Sequence, residues 1–350
     1  MQAQDTTQAY PWRLSYFPYL TASPNDGVMA IGRVLFFRQS RWDDRVSLHS
    51  GVAIEGGYST HGSWLTRVRG DFPRLGDGWR LQAIAQAGKE ANYSDTAAAN
   101  RLIASGEVTR RIDGPFSIAL RGSFTHISFD NVLVSPGVTQ TVSSTDYHGR
   151  IGLVVDQRDR EFDTRSGSLI QGGFFWGWND ASLSRATYTG VYGLASGWLA
   201  LDSATTLTAR AGVRLGRHPG FAAGRIMPAW EDEFVMGGGP ESNRGLSGAA
   251  RVNQCSKVFG AELRRDLKIF PGGAIAVLAF VDGIQADNCG ADVVTVALRA
   301  ASSGYVRDEA AVISPGVGIS VRLLRNAILT ATVAHAEGAT RVYVSSGWSW

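Results

Sequence analysis

Apolar and polar residues alternate along most of this chain. Between Thr206 and Leu215, Leu207, Ala209, Ala211, Val213 and Leu215 share one face, while Thr206, Thr208, Arg210, Gly212 and Arg214 share the other. Val317, Ile319, Val321 and Leu323 oppose Gly316, Gly318, Ser320 and Arg322 in the same way, and Phe116, Ile118, Leu120 and Phe124 oppose Ser117, Arg121, Ser123 and Thr125. A period of two belongs to a strand, because successive side chains leave a pleated backbone on opposite sides. The alternation predicts strands near 12–20, 28–38, 45–57, 61–71, 79–90, 101–111, 115–127 and 147–156. It predicts eight more near 167–178, 184–196, 204–215, 251–265, 272–283, 311–323, 326–335 and 340–350. Sixteen is even, so both ends of the chain fall on one side. Long connections are expected at 128–146, 216–250 and 284–310.

A soluble sandwich also alternates, but its turns come every 8–12 residues or so. Here the segments run about ten residues and many end in aromatics, which is the dyad pattern of a membrane-spanning barrel. Trp176, Trp178, Trp198, Trp348 and Trp350 read as interfacial anchors. The expected fold is therefore all-β, a sixteen-stranded antiparallel transmembrane barrel over 12–350, with 1–11 as a short periplasmic segment.

Composition narrows the class further. The longest apolar run, Ala274 to Val281, is far shorter than the roughly 20 residues a spanning helix needs. A hydrophobic content of 44% excludes disorder. Lys89, Lys257 and Lys268 are the only lysines, so the basic residues are overwhelmingly arginines, interleaved with Asp and Glu rather than gathered in a block. That argues against nucleic acid as a partner and suits a polar lumen lined by ion pairs. Residues 1–7 lack the basic and apolar regions of a signal peptide and read as a mature end.

Two stretches invite chemistry. The run from Val155 to Gly167 holds Asp156, Arg158, Asp159, Asp163, Thr164 and Arg165. The four carboxylates, Asp156, Asp159, Glu161 and Asp163, suggest a metal, but the spacing fixes no ligand geometry; a turn capped by Asp, Thr and Gly fits better, and no metal or other cofactor is expected. The second stretch, Phe234 to Leu246, is rich in glycine (Gly237, Gly238, Gly239 and Gly245). It lacks the Lys-Ser/Thr and the following helix of a phosphate-binding loop. Glycines instead let a long loop fold tightly and lay its backbone on a wall. Arg244, carried into a lumen by such a loop, needs carboxylate partners. The inward parity of the next two strands offers Glu262 and Asp282. His126 and Ser128, with Asn131 nearby, superficially resemble an outer-membrane phospholipase site, but no oxyanion donors accompany them and no catalytic residue is assigned.

In order along the chain, these motifs resemble the BamA/TamA-type outer-membrane assembly-factor barrels, the bacterial surface antigen superfamily. Asp156-x-Arg158-Asp159 followed by Asp163-Thr164-Arg165-Ser166-Gly167 is similar to that family's D-x-R-D…P-T-x-G turn. Gly237-Gly238…Asn243-Arg244-Gly245-Leu246 resembles its G-G…V-R-G-F/Y loop, which tucks into the lumen. Phe280-Val281-Asp282-Gly283 is similar to its F-x-D-x-G strand, Glu262 takes the place of the acid on the strand before it, and Gly347 lies three residues before the terminal Trp350, as in its closing strand. The chain departs from the family at Asp163, where proline is usual, at Asn243 and Leu246, and in a glycine that comes one residue early after Asp282. Family members that handle client proteins carry periplasmic POTRA domains before the barrel.

The resemblance implies assistance in inserting or translocating proteins, or alternatively lipids, through a seam between the first and last strands. Its partners would be unfolded outer-membrane or secreted proteins, periplasmic proteins, and outer-membrane lipids including lipopolysaccharide. Pro18 in strand 1 cannot donate to a ladder, and Gly347 weakens the last strand from the other side. The rival readings are a barrel-only relative acting as a passive pore or structural protein, and a lipid-acting enzyme.

Hairpin register sets Cys255 opposite residues 285–287, within reach of Cys289. In the oxidising envelope the two are expected to pair. Alkylating the unreduced, unfolded protein and weighing it should reveal no labelled thiol; two labels would refute the bond.

Overall fold

The structure, a computed structural model, describes residues 11–40, 44–46, 48–94, 97–135, 138–181, 184–217, 242–246, 255–270, 273–287, 310–323 and 327–346. Its strands are β1 (Trp12–Ser23), β2 (Gly27–Gln39), β3 (Leu48–Ser59), β4 (Trp64–Gly76), β5 (Trp79–Ser94), β6 (Ala97–Asp113), β7 (Phe116–Ser135) and β8 (Val138–Asp156). They continue as β9 (Gly167–Ala181), β10 (Ser184–Ala200), β11 (Thr205–Arg217), β12 (Cys255–Phe270), β13 (Gly273–Asp287), β14 (Val312–Leu323), β15 (Ala327–Ala336) and β16 (Ala339–Ser346). Each pairs with its neighbours in sequence, and β1 meets β16 to close the barrel. Closure satisfies the backbone donors and acceptors that lipid could not.

The alternation sorts side chains between two very different walls. Outward positions carry large apolar groups in the open, Leu153 at 58% exposure and Phe174 at 65% among many. A water-soluble monomer rarely exposes more than a few hundred Å² of contiguous apolar surface, so this wall is stable only in lipid. Aromatic side chains stand at both rims. Trp12 stacks on Phe36 with ring centroids 4.4 Å apart at the end holding the termini, and Tyr147 stacks on Trp178 at 4.9 Å at the opposite end. Inward positions are polar and paired: Arg67 Nη2 lies 2.6 Å from Glu55 Oε2, and Arg150 pairs with Glu107. The architecture is that of an integral bacterial outer-membrane barrel.

Connections differ between the two ends. At the terminal end they are mostly short, as in the β10–β11 turn. There the N–H groups of Ala204 and Thr205 donate to Asp202 Oδ1, both at 2.7 Å, and hold its carboxyl below the usual range. At the opposite, loop end, β11 and β12 are separated by 218–254, and β13 and β14 by 288–311. The β15–β16 hairpin turns on Glu337 and Gly338, at φ 51° and 74°, the positive values that a tight hairpin requires.

One expected loop is instead strand. The connection predicted at 128–146 shrinks to 136–137, because β7 runs to Ser135 and β8 starts at Val138. This hairpin extends past the stretch of regular alternation, where a strand no longer needs one apolar face. The turn signal inside it is the Pro136-Gly137 dipeptide. Cys255 opens β12 opposite Asp287 and is disulfide-bonded. Cys289, the glycines Gly237, Gly238 and Gly239, the closing Gly347 and Trp350, and residues 1–10 lie outside the described residues.

Candidate functional site

β12 and β13 run antiparallel with Gly260 opposite Asp282 and Glu262 opposite Phe280. Even-numbered residues on both strands face inward, so Glu262 and Asp282 sit one pleat apart on the lumen wall. Between them lies Arg244, 1% exposed. Its Nε donates to Asp282 Oδ2 at 2.7 Å and its Nη2 to Asp282 Oδ1 at 2.9 Å, a bidentate fork. Nη1 donates to Glu262 Oε2 at 2.6 Å, and the Arg244 backbone N–H adds a bond to Asp282 Oδ2 at 3.1 Å. The guanidinium lies over the Phe280 ring, 3.3 Å from its centroid, so the ring covers one of its faces.

The segment that presents Arg244, residues 242–246, is itself anchored on either side. Asn243, fully buried, accepts the Gly245 N–H at 3.1 Å and the Ser314 hydroxyl, and donates to the Val312 carbonyl at 3.3 Å. Gly245 lies so close to β14 and β15 that a Cβ would run into the Ser314 side chain and come within 2.8 Å of the Ala336 Cβ. Leu246 packs in an apolar cluster with Val258, Ile284 and Ala336. Arg210 donates to the Ser242 carbonyl, Arg341 to the Gly245 carbonyl, and the Tyr343 hydroxyl to the Leu246 carbonyl at 2.6 Å. Five residues thus touch every strand from β11 to β16.

Sequence reasoning names Arg244, Glu262, Asp282 and Gly245 and misses Asn243, Phe280, Ser314, Arg341 and Tyr343 as their supports. One signal was available. β13 is apolar on its inward face as well (Ala274, Ala276, Leu278 and Phe280), which a water-lined wall does not require. At its loop end that face is covered by the 242–246 segment. The early glycine after Asp282 also has a cause: the Phe259 ring, from the paired residue, lies over Gly283 where a Cβ would be.

At the terminal end, the β8–β9 turn is organised by its acids. Asp156 pairs with Arg158 Nη2 at 2.9 Å, and Asp159 Oδ1 accepts the N–H groups of Arg160 and Arg165 at 2.9 and 3.1 Å. Thr164 Oγ1 donates to the Arg160 carbonyl at 2.7 Å. Gly167, at φ 106°, lets the chain re-enter β9 against the Gln157 carbonyl. Asp163 sits at φ 58°, a value closed to the proline usual at that place in the related motif.

The seam is different in kind from the other ladders. Among the described residues, β1 and β16 share the single registered pair Ala22↔Val344, against twelve pairs between β1 and β2. Pro18 faces outward on β1. Tyr19, Met29 and Ile31, on the inward face of β1 and β2, cluster with Phe17 and Leu65, and Leu329 packs against them from across the seam. A cavity of ≈ 340 Å³ opens beside them, lined by Tyr19, Met29, Leu65, Tyr343 and Val344 among others. His126, on the lipid-facing parity of β7, bonds Thr145 Oγ1 at 2.8 Å, while Ser128 is registered against Ser143. Asn131's side chain lies outside the described residues.

Removing the Arg244 guanidinium leaves two inward acids without their countercharge. Arg244→Ala is expected to destabilise the barrel by about 3–5 kcal/mol in urea titrations in lipid vesicles. Asp282→Ala should cost a similar amount and the double variant clearly less than the sum, because the two share one interaction. Additive losses would show that Arg244 and Asp282 act independently.

Scans of the sequence against protein-family models and against curated proteins give no match. Solved barrels are similar in structure. BamA from Haemophilus ducreyi lacking POTRA domains 1–3 is 14% identical with a TM-score of 0.62, over 97% of this chain and 70% of that one. CdiB from Escherichia coli is 12% identical with a TM-score of 0.59, over 96% of this chain and 67% of that one. CdiB from Acinetobacter baumannii is 11% identical with a TM-score of 0.57, and the chain spans 60% of its length. The fold is that of the BamA and CdiB barrels.

Proposed function

We propose that this barrel assists the insertion or translocation of proteins at the outer membrane, with the β1–β16 seam as the lateral route and the Arg244 segment as its latch. The observation that carries the reading is the link between the two. Tyr343 and Arg341 on β16 bond the carbonyls of Leu246 and Gly245, so the segment held by Arg244 also holds the closing strand. Among the described residues the seam beside it shows one registered pair and is bridged by an apolar cluster, whose packing can part without leaving backbone groups stranded. Clients in this reading are unfolded outer-membrane or secreted proteins, delivered by periplasmic partners, with outer-membrane lipids including lipopolysaccharide around the outer wall. The fold likeness to BamA and CdiB supports this reading over an enzyme. A passive pore needs neither a thin seam nor a latch tied to it.

The registered pair supplies the test. Cysteines at Ala22→Cys and Val344→Cys face each other across an antiparallel ladder, a separation that a disulfide can span. Oxidised, the doubly substituted barrel should lose at least tenfold in client insertion into liposomes, and reductant should restore it while leaving the single-cysteine controls unchanged. Equal insertion by the locked and unlocked barrels would overturn the seam route.

A further inference from the structure

The β8–β9 turn does more than reverse the chain. Glu161 pairs with Arg80 Nη1 on β5 at 2.9 Å, and Arg80 is held in turn by Asp71 of β4 through its Nη2, also at 2.9 Å. The Glu161 N–H donates to the Arg45 carbonyl in the β2–β3 connection at 3.0 Å, and Arg45 Nη2 donates to the Asp156 carbonyl at 2.8 Å. Two residues further on, Asp163 pairs with Arg264 Nη2 on β12 at 3.0 Å and with Arg322 on β14. Arg165 lies 3.5 Å from Asp266 of β12, whose side chain is 1% exposed. In this sixteen-strand ring β12 stands seven strands from β5, and β14 nine, where eight would be diametrically opposite. A segment that reaches both walls from neighbouring residues has to cross the mouth between them.

We propose that residues 157–166 form an ionic strap closing the terminal mouth of the lumen, so that hydrophilic solutes do not pass along the barrel axis while its ion pairs hold. The charges are arranged for this. Acids on the strap meet arginines on the walls, and two of those arginines are steadied by a wall acid: Asp71 beside Arg80, and Asp266 3.7 Å from Arg322. Partly buried pairs of this kind are screened little by salt, and breaking one partner is costly, so the strap holds as a unit. Its positive-φ residue Asp163 also reaches the far wall, pairing with both Arg264 and Arg322. The inference does not depend on the client reading: a passive barrel with this strap would be shut at the same end.

Conductance across planar lipid bilayers tests it, in the Arg244→Ala background so that the 242–246 segment no longer holds its place in the other half of the lumen. Adding Glu161→Gln, Asp163→Asn and Arg165→Gln neutralises the strap's charged ties to both walls with little change of shape, and steady conductance should rise at least fivefold over Arg244→Ala alone. A second variant guards against a folding failure. Arg45→Cys with Glu161→Cys places thiols where the backbones are already hydrogen-bonded, close enough for a disulfide. In the Arg244→Ala, Asp163→Asn background that bond should lower conductance when oxidised and restore it on reduction, with the parent barrel, which keeps its native cysteines, as the reductant control. Equal conductance with and without the strap substitutions, or oxidised and reduced, would overturn the closure.

Discussion

A guanidinium stripped of water must find its counter-charges in fixed places, and around Arg244 that requirement organises half the barrel. Desolvating an ion costs several kcal/mol, which is offset only by good geometry and a full set of hydrogen bonds. Arg244 obtains these from Asp282 on β13 and Glu262 on β12, with the Phe280 ring beneath. Without it, two acids on neighbouring strands would face each other with no countercharge between them. The strands then have to keep their register, and the 242–246 segment has to keep its place. The other bonds of that segment, to Arg210, Ser314, Arg341 and Tyr343, extend the same constraint round to the strand that closes the barrel.

The same physics recurs wherever an arginine meets the lumen. Glu55 collects Tyr19 from β1 and Arg67 from β4, and Glu107 pairs with Arg150. Arginine suits such a wall better than lysine because its planar fork binds a carboxylate through two bonds and is less strongly hydrated. Inner charge networks and an outer apolar face are two sides of one strand, and period two delivers both. The seam stands out against this background: among the described residues it shows one registered pair, and apolar packing from Leu329 meets the β1–β2 residues there.

What could be read from the sequence follows from which interactions are local. Alternation assigns each residue to lipid or lumen, and with it the strand number, the even parity of Glu262 and Asp282, and the offset between them. Hairpin geometry places Cys255 near residue 287. The chain says much less about pairs that exist only after closure. Nothing near Glu161 indicates Arg80, 81 residues away, and with so many arginines composition cannot choose among them. The β7–β8 hairpin was hidden for a different reason: beyond the lipid its residues need not alternate, so the period that finds strands fades while the strands go on. Asn243 reads in sequence as a departure from an aliphatic position. In the structure its amide joins Gly245 to Ser314, a role that no local pattern encodes.

Amide hydrogen exchange of the barrel in lipid nanodiscs, compared between the native protein and Arg244→Ala, tests the central role of the buried fork most directly. Loss of the fork should speed exchange at least tenfold at the loop ends of β12 to β16, including Arg341 to Val344, while β3 to β8 keep their protection. Unchanged protection in β12 to β16, or an equal rise all round the barrel, would contradict it.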